Sequence, residues 1–177
     1  AHTLSSEKQS LTFSANYFDL KPYQSLVKQN FDWERAPNGW DIELSAQKKL
    51  AKGGLWKILA RTESGGMEIW QPEPGQESRG QLIRLRNKYS FAQTNWKNAF
   101  ENGWTLFAGA ALSSNFDDIH IDSIRLERKN QLAHGKFTAT KDFSDKLSMN
   151  TGLEYFNHQF DESLVDLNFS RDYVDHQ

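Results

Sequence analysis

The sequence predicts an all-β protein, an antiparallel up-and-down sheet of about eight strands that crosses a membrane as a β-barrel. Three observations lead there: apolar and polar residues alternate along many segments, short and long connections alternate between them, and aromatic residues flank the short connections. Alternation indicates a strand with one apolar and one polar face. A soluble sheet turns the apolar row to a core, whereas a membrane barrel turns it to lipid.

The alternating segments follow one another along the whole chain. The clearest is 147–155, where the row that starts at Leu147 is uncharged and the opposite row holds Glu154. The others, in chain order, are SLTFSANYF (10–18), WDIELSAQKKL (40–50), LWKILAR (55–61), GQLIRLRNKYSFAQTNW (80–96), WTLFAGAAL (104–112), DSIRLERKNQLAHGKFTATKDF (122–143) and LVDLNFSRDYV (164–174). A membrane strand needs about 9–11 residues, and most of these segments reach that length.

Two long segments are less regular. In 80–96 the apolar row contains Ile83 and Leu85, and the opposite row, Arg84, Arg86 and Lys88, is therefore predicted to form a basic strip facing the lumen. The segment 122–143 changes phase near Gly135, which predicts a β-bulge there. WTLFAGAAL is apolar on both rows, so its two faces cannot be told apart.

The connections fall into two classes. AKGG (51–54), FENGW (100–104) and FSDK (143–146) are short and contain the Gly, Asn and Asp of tight hairpins. The stretches at about 19–39, 64–79, 115–121 and 159–163 are predicted to be long loops, and they contain every proline of the chain. Outer-membrane barrels have short turns at one end and long loops at the other. Trp56, Trp96, Phe100, Trp104 and Phe143 lie near the short turns, which predicts an aromatic belt at that end.

The composition narrows the class of protein. The chain has 177 residues, a net charge of -2 and no cysteine, and 13% of its residues are aromatic. The charge and the lack of a basic stripe argue against nucleic acid as a partner. The absence of cysteine excludes disulfides and thiolate metal sites. A mean hydropathy of -0.74 combined with so many aromatic residues argues against a disordered chain. A soluble domain can show both values, and so does a membrane barrel, in which half of each strand is polar.

Three stretches resemble the barrel of TonB-dependent outer-membrane receptors: LKPYQSLVKQNFDWERAPNGWDIELSAQKKL, KNAFENGWTLFAGAALSSN and GKFTATKDFSDKLSMNTGLEYFNHQFDESL. The resemblance implies a barrel of about 22 strands with a plugged lumen. It implies uptake of a scarce ligand across the outer membrane of a Gram-negative bacterium, with energy from the TonB complex.

On this resemblance, residues 1–177 are a single barrel segment, the first strands after the plug, because neither a plug domain nor a TonB box is visible. Outer-membrane lipid then surrounds the segment. The TonB complex is engaged through segments outside this chain, and a surface lipoprotein is a further expected partner.

The candidate ligand-binding residues are Trp33, Arg35 and Trp70, which the sequence places at loop tips. Two indole rings and a guanidinium can grip a sugar or a peptide. Packing of the loops against neighbouring strands is the commoner role of such Trp residues. Both interpretations stay open at this point.

No catalytic residue or cofactor is predicted, because the chain has no HExxH, no phosphate-binding glycine loop and no recognisable triad, and we expect no enzyme. The stretch DDIHID (117–122) brings three Asp and one His together in a predicted outer loop. Such a group can bind a metal ion, but a solvated acidic loop is the expectation.

Two rival hypotheses fit the same alternation. The first is a complete eight-stranded outer-membrane barrel with a structural or adhesive role. The second is a soluble β-sandwich or lipocalin-like barrel that binds a ligand and turns its apolar rows inward.

Overall fold

The computed structural model describes residues 1–27, 32–72, 80–166 and 171–176. The elements in chain order are β1 (His2–Ser5), β2 (Gln9–Asp19), α1 (Lys21–Leu26), β3 (Asp32–Lys49), a short 3₁₀ helix (Ala51–Gly53), β4 (Leu55–Gln71), β5 (Gln81–Ala99), β6 (Trp104–Ile121), β7 (Ile124–Ser144), β8 (Leu147–Asp166) and β9 (Arg171–His176).

All nine strands belong to one sheet, in which each strand pairs antiparallel with the next one in the chain. The predicted all-β, antiparallel, up-and-down architecture is therefore confirmed. The described residues of β1 and β9 do not pair with each other, and the sheet is open.

Strands β3 to β8 are 17 to 21 residues long. They extend far into stretches that the sequence assigned to loops: β4 continues to Gln71, β6 to Ile121 and β8 to Asp166. The loop predicted at 115–121 is wrong, because β6 and β7 are joined by only Asp122 and Ser123. Asp122 has a φ of 50°, and its backbone N–H donates to the Leu82 carbonyl at 3.3 Å. The loop predicted at 159–163 is also wrong, because all of these residues lie within β8, and the loop predicted at 64–79 does not begin until after Gln71.

We call the end of the sheet with residues 20–27, Pro72, Gly80 and the turn 122–123 the upper end, and the opposite end the lower end. Tight turns lie at the lower end, where the sequence predicts them, but the tight turn Asp122–Ser123 lies at the upper end, where the sequence predicts long loops. Gly103, with a φ of 78°, occupies the turn between β5 and β6, and the Phe100 N–H donates to the Trp104 carbonyl at 2.7 Å. The predicted aromatic residues gather here: Trp56 and Trp96 are cross-strand partners, and the Lys141 Nζ lies 5.6 Å from the Trp104 ring centre.

Among the described residues, the sheet has no second layer and little core. Ala36 and Ala139 are the buried apolar residues of that part of the chain. In the same part, no α-helix has the length and apolar character needed to cross a membrane.

Strand β7 stays in register through Gly135, which pairs with Ala110 on one side and Tyr155 on the other. The bulge predicted there is wrong. The register shifts that do occur lie in β3, between Trp33 and Asn38, and in β7, between Asp142 and Ser144.

Candidate functional site

The strand register sorts the side chains into two faces, because directly paired residues of adjacent strands point to the same side. We name them the Leu44 face and the Glu43 face. One row of the Leu44 face consists of Phe13, Leu44, Ala60, Ala92, Leu112, Ala133 and Asn157. The adjacent row of the Glu43 face consists of Ser14, Glu43, Arg61, Phe91, Ser113, Leu132 and His158.

An uncharged band crosses the Leu44 face from β2 to β8. On that face, no residue is charged within 9–17, 38–46, 56–66, 90–98, 104–116, 131–139 and 149–159, one range for each strand. These ranges are about 9 to 13 residues long, and a strand that crosses a bilayer needs about 9–11. Large apolar side chains in the band are exposed, including Leu153 at 68% and Leu112 at 62%.

Aromatic residues lie along both borders of the band. Tyr17, Trp40 and Phe116 lie in the upper border row. Trp56 and Trp96 share a row eight residues below it, and Trp104 lies four residues lower still. The borders are about 8 to 12 residues apart along a strand. At about 3.3 Å per residue and a tilt of about 45°, this gives a height of about 19–28 Å, compared with about 25 Å for the apolar band of outer-membrane barrels.

Most residues of the Glu43 face are polar at the level of the band, and the large apolar exceptions are Leu59, Phe91, Phe107, Leu132 and Phe156. The Asn16 amide donates to Asp41 at 2.9 Å, Arg61 pairs with Glu63 at 2.7 Å, and His134 lies 2.6 Å from Glu154. These groups can be satisfied by each other and by water, so this face suits an aqueous lumen and not hydrocarbon.

Above the band, the polarity of the two faces is exchanged. The Leu44 face there carries Glu68, Arg84, Arg86, Asp118, His120, Arg125 and Glu127. The Glu43 face carries Met67, Ile69, Ile83, Leu85, Ile119, Ile121, Leu126 and Leu164. The exchange accounts for the apparent change of phase in 122–143, because the apolar row moves from one face to the other without a bulge.

The same exchange overturns the predicted basic lumenal strip. Arg84, Arg86 and Lys88 lie on the Leu44 face, above the uncharged band or at its border, and Arg84 pairs with Glu68 at 3.2 Å. The sequence put Ile83 and Leu85 on the lipid face because they are apolar, but the register places them on the Glu43 face.

The charged residues above the band on the Leu44 face form a network. Arg125 donates to both carboxylate oxygens of Asp118 at 3.0 and 3.4 Å, His120 lies 2.9 Å from the same carboxylate, and Arg125 also pairs with Glu127 at 2.6 Å. The hydrogen bond from Arg125 lowers the pKa of Asp118 against the opposing effect of partial burial. The same bond raises the pKa of Arg125. The network ties the upper ends of β6 and β7 together.

The three candidate ligand residues lie in strands and not at loop tips. Trp33 and Arg35 are in the irregular start of β3, and their register partners Ile69 and Glu68 precede Trp70 at the end of β4. The Trp70 indole donates to Glu34 at 2.9 Å, and Arg35 donates to Asn38 at 2.9 Å. The fold therefore places all three residues at the upper end but not on one face: Trp33 shares the Glu43 face with its partner Ile69, whereas Arg35 and Trp70 lie on the Leu44 face. Whether they bind a ligand stays a prediction.

The acidic stretch 117–122 belongs to β6 and its turn, which corrects its placement in a loop. Alternation puts Asp117 on the Glu43 face and Asp118 and His120 on the Leu44 face. Within the described ranges, no three acidic or histidine side chains are arranged to hold a metal ion.

Comparison with protein-family models, with curated proteins and with solved structures gave no match to this chain.

Proposed function

We propose that this chain forms part of the wall of an outer-membrane β-barrel of the TonB-dependent receptor type, which takes up a scarce ligand. The observation that supports it most is the uncharged band, which the register aligns across seven consecutive strands. A Lys or Arg facing mid-bilayer costs roughly 2–4 kcal/mol, and this face has none over a height that matches the hydrocarbon. Lys57 and Arg61 lie on the opposite face, where water would solvate them.

A soluble sandwich or lipocalin-like barrel would bury the same apolar rows. Instead, Leu11, Leu44, Met149 and Leu153 are exposed by 40% to 68%, and nothing in the described part of the chain covers them. Burying apolar surface is the main driving force of folding in water. The exposed band therefore favours a lipid environment over a soluble fold.

The open sheet favours a wall segment over a complete eight-stranded barrel. Nine strands leave the edges at β1 and β9 without a mutual pairing in the described residues. In lipid an open edge leaves backbone N–H and C=O groups without partners, at several kcal/mol each. Further strands are expected to pair with these edges.

The resemblance of the three quoted stretches to TonB-dependent receptors is the basis for proposing ligand uptake. It is also the basis for proposing the TonB complex and a surface lipoprotein as partners. The TonB complex would be engaged through segments outside this chain, outer-membrane lipid would meet the Leu44 face, and transport would use the lumen beside the Glu43 face. The location follows as the outer membrane of a Gram-negative bacterium.

The facing of the strands is tested by a pair of substitutions in β8. Leu153→Arg places a charge on the Leu44 face in the band, and we expect assembly into outer membranes to fall at least about tenfold, since the cost is roughly 2–4 kcal/mol. Asn150→Arg places the same charge on the Glu43 face and should assemble normally. Assembly is measured as the heat-modifiable, folded fraction in isolated outer membranes.

Equal assembly of the two variants would contradict the assignment of the faces. A full-length wild-type protein that stays monodisperse in buffer without detergent would contradict the membrane location itself.

A further inference from the structure

Two glycines leave a hollow in the Glu43 face just above the level of the band. The row there runs Phe18, Gly39, Gly65, Asn87 and Asp117 across β2 to β6. The Phe18 ring leans over Gly39, where an added Cβ would lie 2.8 Å from the Phe18 Cε1 atom. Gly39 and Gly65 have no side chains, and this leaves the space of the hollow.

Apolar side chains form the upper wall of the hollow. Met67, Leu85 and Ile119 lie in the next row up, where the Glu43 face has become apolar. With Phe18, they line a cavity of about 310 Å³. Arg86 also belongs to the lining, but the register places its side chain on the Leu44 face. Small-molecule sites have volumes of about 300–1,000 Å³ and are mostly apolar, with a few placed polar groups.

The polar groups lie at one end of this cavity. Asp117 accepts hydrogen bonds from the Asn87 amide at 2.6 Å and from the Asn115 amide at 3.0 Å, and Asn87 also donates to Asn115 at 2.8 Å. These bonds hold the carboxylate in one orientation beside the apolar wall.

In the described part of the chain, no Lys, Arg or His lies within 4.0 Å of the Asp117 carboxylate, so Asp117 makes no ion pair there. The cation opposite it in the register, Arg128, is held by Glu162 at 2.6 Å. A fixed carboxylate next to an apolar wall is complementary to a positively charged group with an apolar body.

We propose that this hollow binds a small organic cation, with its ammonium group at Asp117 and its apolar body between Phe18 and the wall of Met67, Leu85 and Ile119. The site needs only the local geometry of β2 to β6 and goes beyond the transport proposed above. If the barrel closes with the Glu43 face inward, the site lies inside the lumen at the upper end.

The charge requirement is tested with three probes of similar shape: 2-phenylethylammonium, 2-phenylethanol and phenylacetate. Each is titrated by calorimetry into the full-length protein in detergent. We expect the cation to bind at least about tenfold more tightly than phenylacetate. Asp117→Asn should remove this preference while leaving the binding of 2-phenylethanol within about twofold.

The location is tested by filling the hollow. A Cβ at Gly65 would lie 3.2 Å from the Asn38 carbonyl oxygen, a contact that a small shift relieves, so Gly65→Leu should fold and weaken cation binding at least about tenfold. The control is Gly135→Leu on the Leu44 face, where an added Cβ meets no atom within 4 Å; its binding should equal that of wild type.

Absence of cation binding at millimolar concentration, equal binding of phenylacetate, or unchanged binding in a folded Gly65→Leu variant would each overturn the site. If Gly65→Leu does not fold, the result with Asp117→Asn decides. None of these outcomes depends on membrane assembly, which the substitutions at Leu153 and Asn150 test separately.

Discussion

Individual charged side chains mark where the uncharged band ends. Lys88, Lys129 and Asp161 lie in its upper border row, and Glu68 and Asp118 lie within four residues above that row on the same face. In the proposed membrane, a charge on the Leu44 face below that border would meet hydrocarbon at a cost of roughly 2–4 kcal/mol, whereas above it water would solvate the same group. The positions of the charges are therefore consistent with the proposed membrane boundary.

Asp118→Asn tests the network above the band. Loss of the charge-assisted bond from Arg125 should raise the rate of amide hydrogen exchange in residues 117–128 about two- to fivefold at neutral pH, since an exposed ion pair contributes about 0.2–1 kcal/mol. Hydrogen exchange followed by mass spectrometry measures the effect. Glu63→Gln is the matched control, because Arg61 and Glu63 belong to the same strand and their pair ties no strands together.

The pH dependence of this difference has a fixed sign. Because the pKa of Asp118 is lowered from its ordinary 3.8, the ion pair stabilises the hairpin at all pH values above 3.8 and its contribution is lost as the pH falls through the lowered pKa. The difference between wild type and Asp118→Asn should therefore vanish in strong acid. A difference that persists there would show that the carboxylate charge is not its source.

At the scale of the strand, one continuous element would meet two solvents in the proposed membrane. β5, β6 and β7 have 18 to 21 residues, about twice the length that a bilayer requires. Their lower halves have the apolar side chains on the Leu44 face, and their upper halves have them on the Glu43 face. A strand that projects beyond the membrane is expected to be polar outside, and its inner face is then free to become apolar.

The backbone conformation of the lower turns is expected to contribute to the stability of the hairpins that they connect. Gly103 has a φ of 78°, and an added Cβ would lie 2.7 Å from the Asp142 carbonyl oxygen. Gly103→Ala is therefore expected to lower the free energy of unfolding by about 1–2 kcal/mol, the cost of a left-handed backbone for an L-residue. The midpoint of urea unfolding in detergent micelles measures it.

Gly135→Ala is the matched control for the turn, because its Cβ meets no atom within 4 Å and it lies mid-strand in β7. Its unfolding midpoint should stay close to that of wild type. An equal loss in both variants would mean that the turn geometry at Gly103 is not the cause.

At the scale of the whole molecule, the proposal is that the two faces of the sheet are in contact with different solvents. Among the described residues, one layer of strands has no core, so its two faces must be covered by lipid, by water or by other protein. Lipid on the Leu44 face and water on the Glu43 face satisfy both faces within the band.

A spin-label scan of β6 tests this, since the chain has no cysteine and single Cys substitutions give single labels. Labels at 106, 108, 110 and 112 should be accessible to oxygen dissolved in lipid, and labels at 105, 107, 109 and 111 to a water-soluble nickel reagent. Positions 118 and 120, on the same face as Leu112 but above the band, should be accessible to nickel. Paramagnetic relaxation in reconstituted bilayers measures both accessibilities.

Low accessibility of the even positions to both reagents would indicate a protein core and contradict the membrane assignment. Access of nickel to all positions would indicate that the sheet does not enter the bilayer.

Local sequence was enough to predict the strands, because side chains alternate with a period of two wherever a strand has one solvent on each side. It also located the lower turns at 51–54, 100–104 and 143–146, since glycine at Gly53 and Gly103 supplies backbone angles that other residues avoid. It failed at 115–121, where polar residues suggested a loop. Asp117 and Asp118 lie on opposite faces of β6, and both faces are polar at these positions. Asp117 accepts a hydrogen bond from Asn87, and Asp118 accepts one from Arg125.

The sequence by itself determined that this chain forms antiparallel strands and that the most apolar row of side chains in a strand such as 147–155 contains no charged residue. Only the tertiary structure decided which rows are neighbours, and so it moved Arg84 and Arg86 to the Leu44 face and Leu85 to the other. The hollow at Gly65 could not be foreseen either, since its lining comes from five strands, β2 to β6. The physical reason is that alternation determines which side chains of one strand lie on the same face, whereas the hydrogen-bonded register determines which side chains of neighbouring strands do.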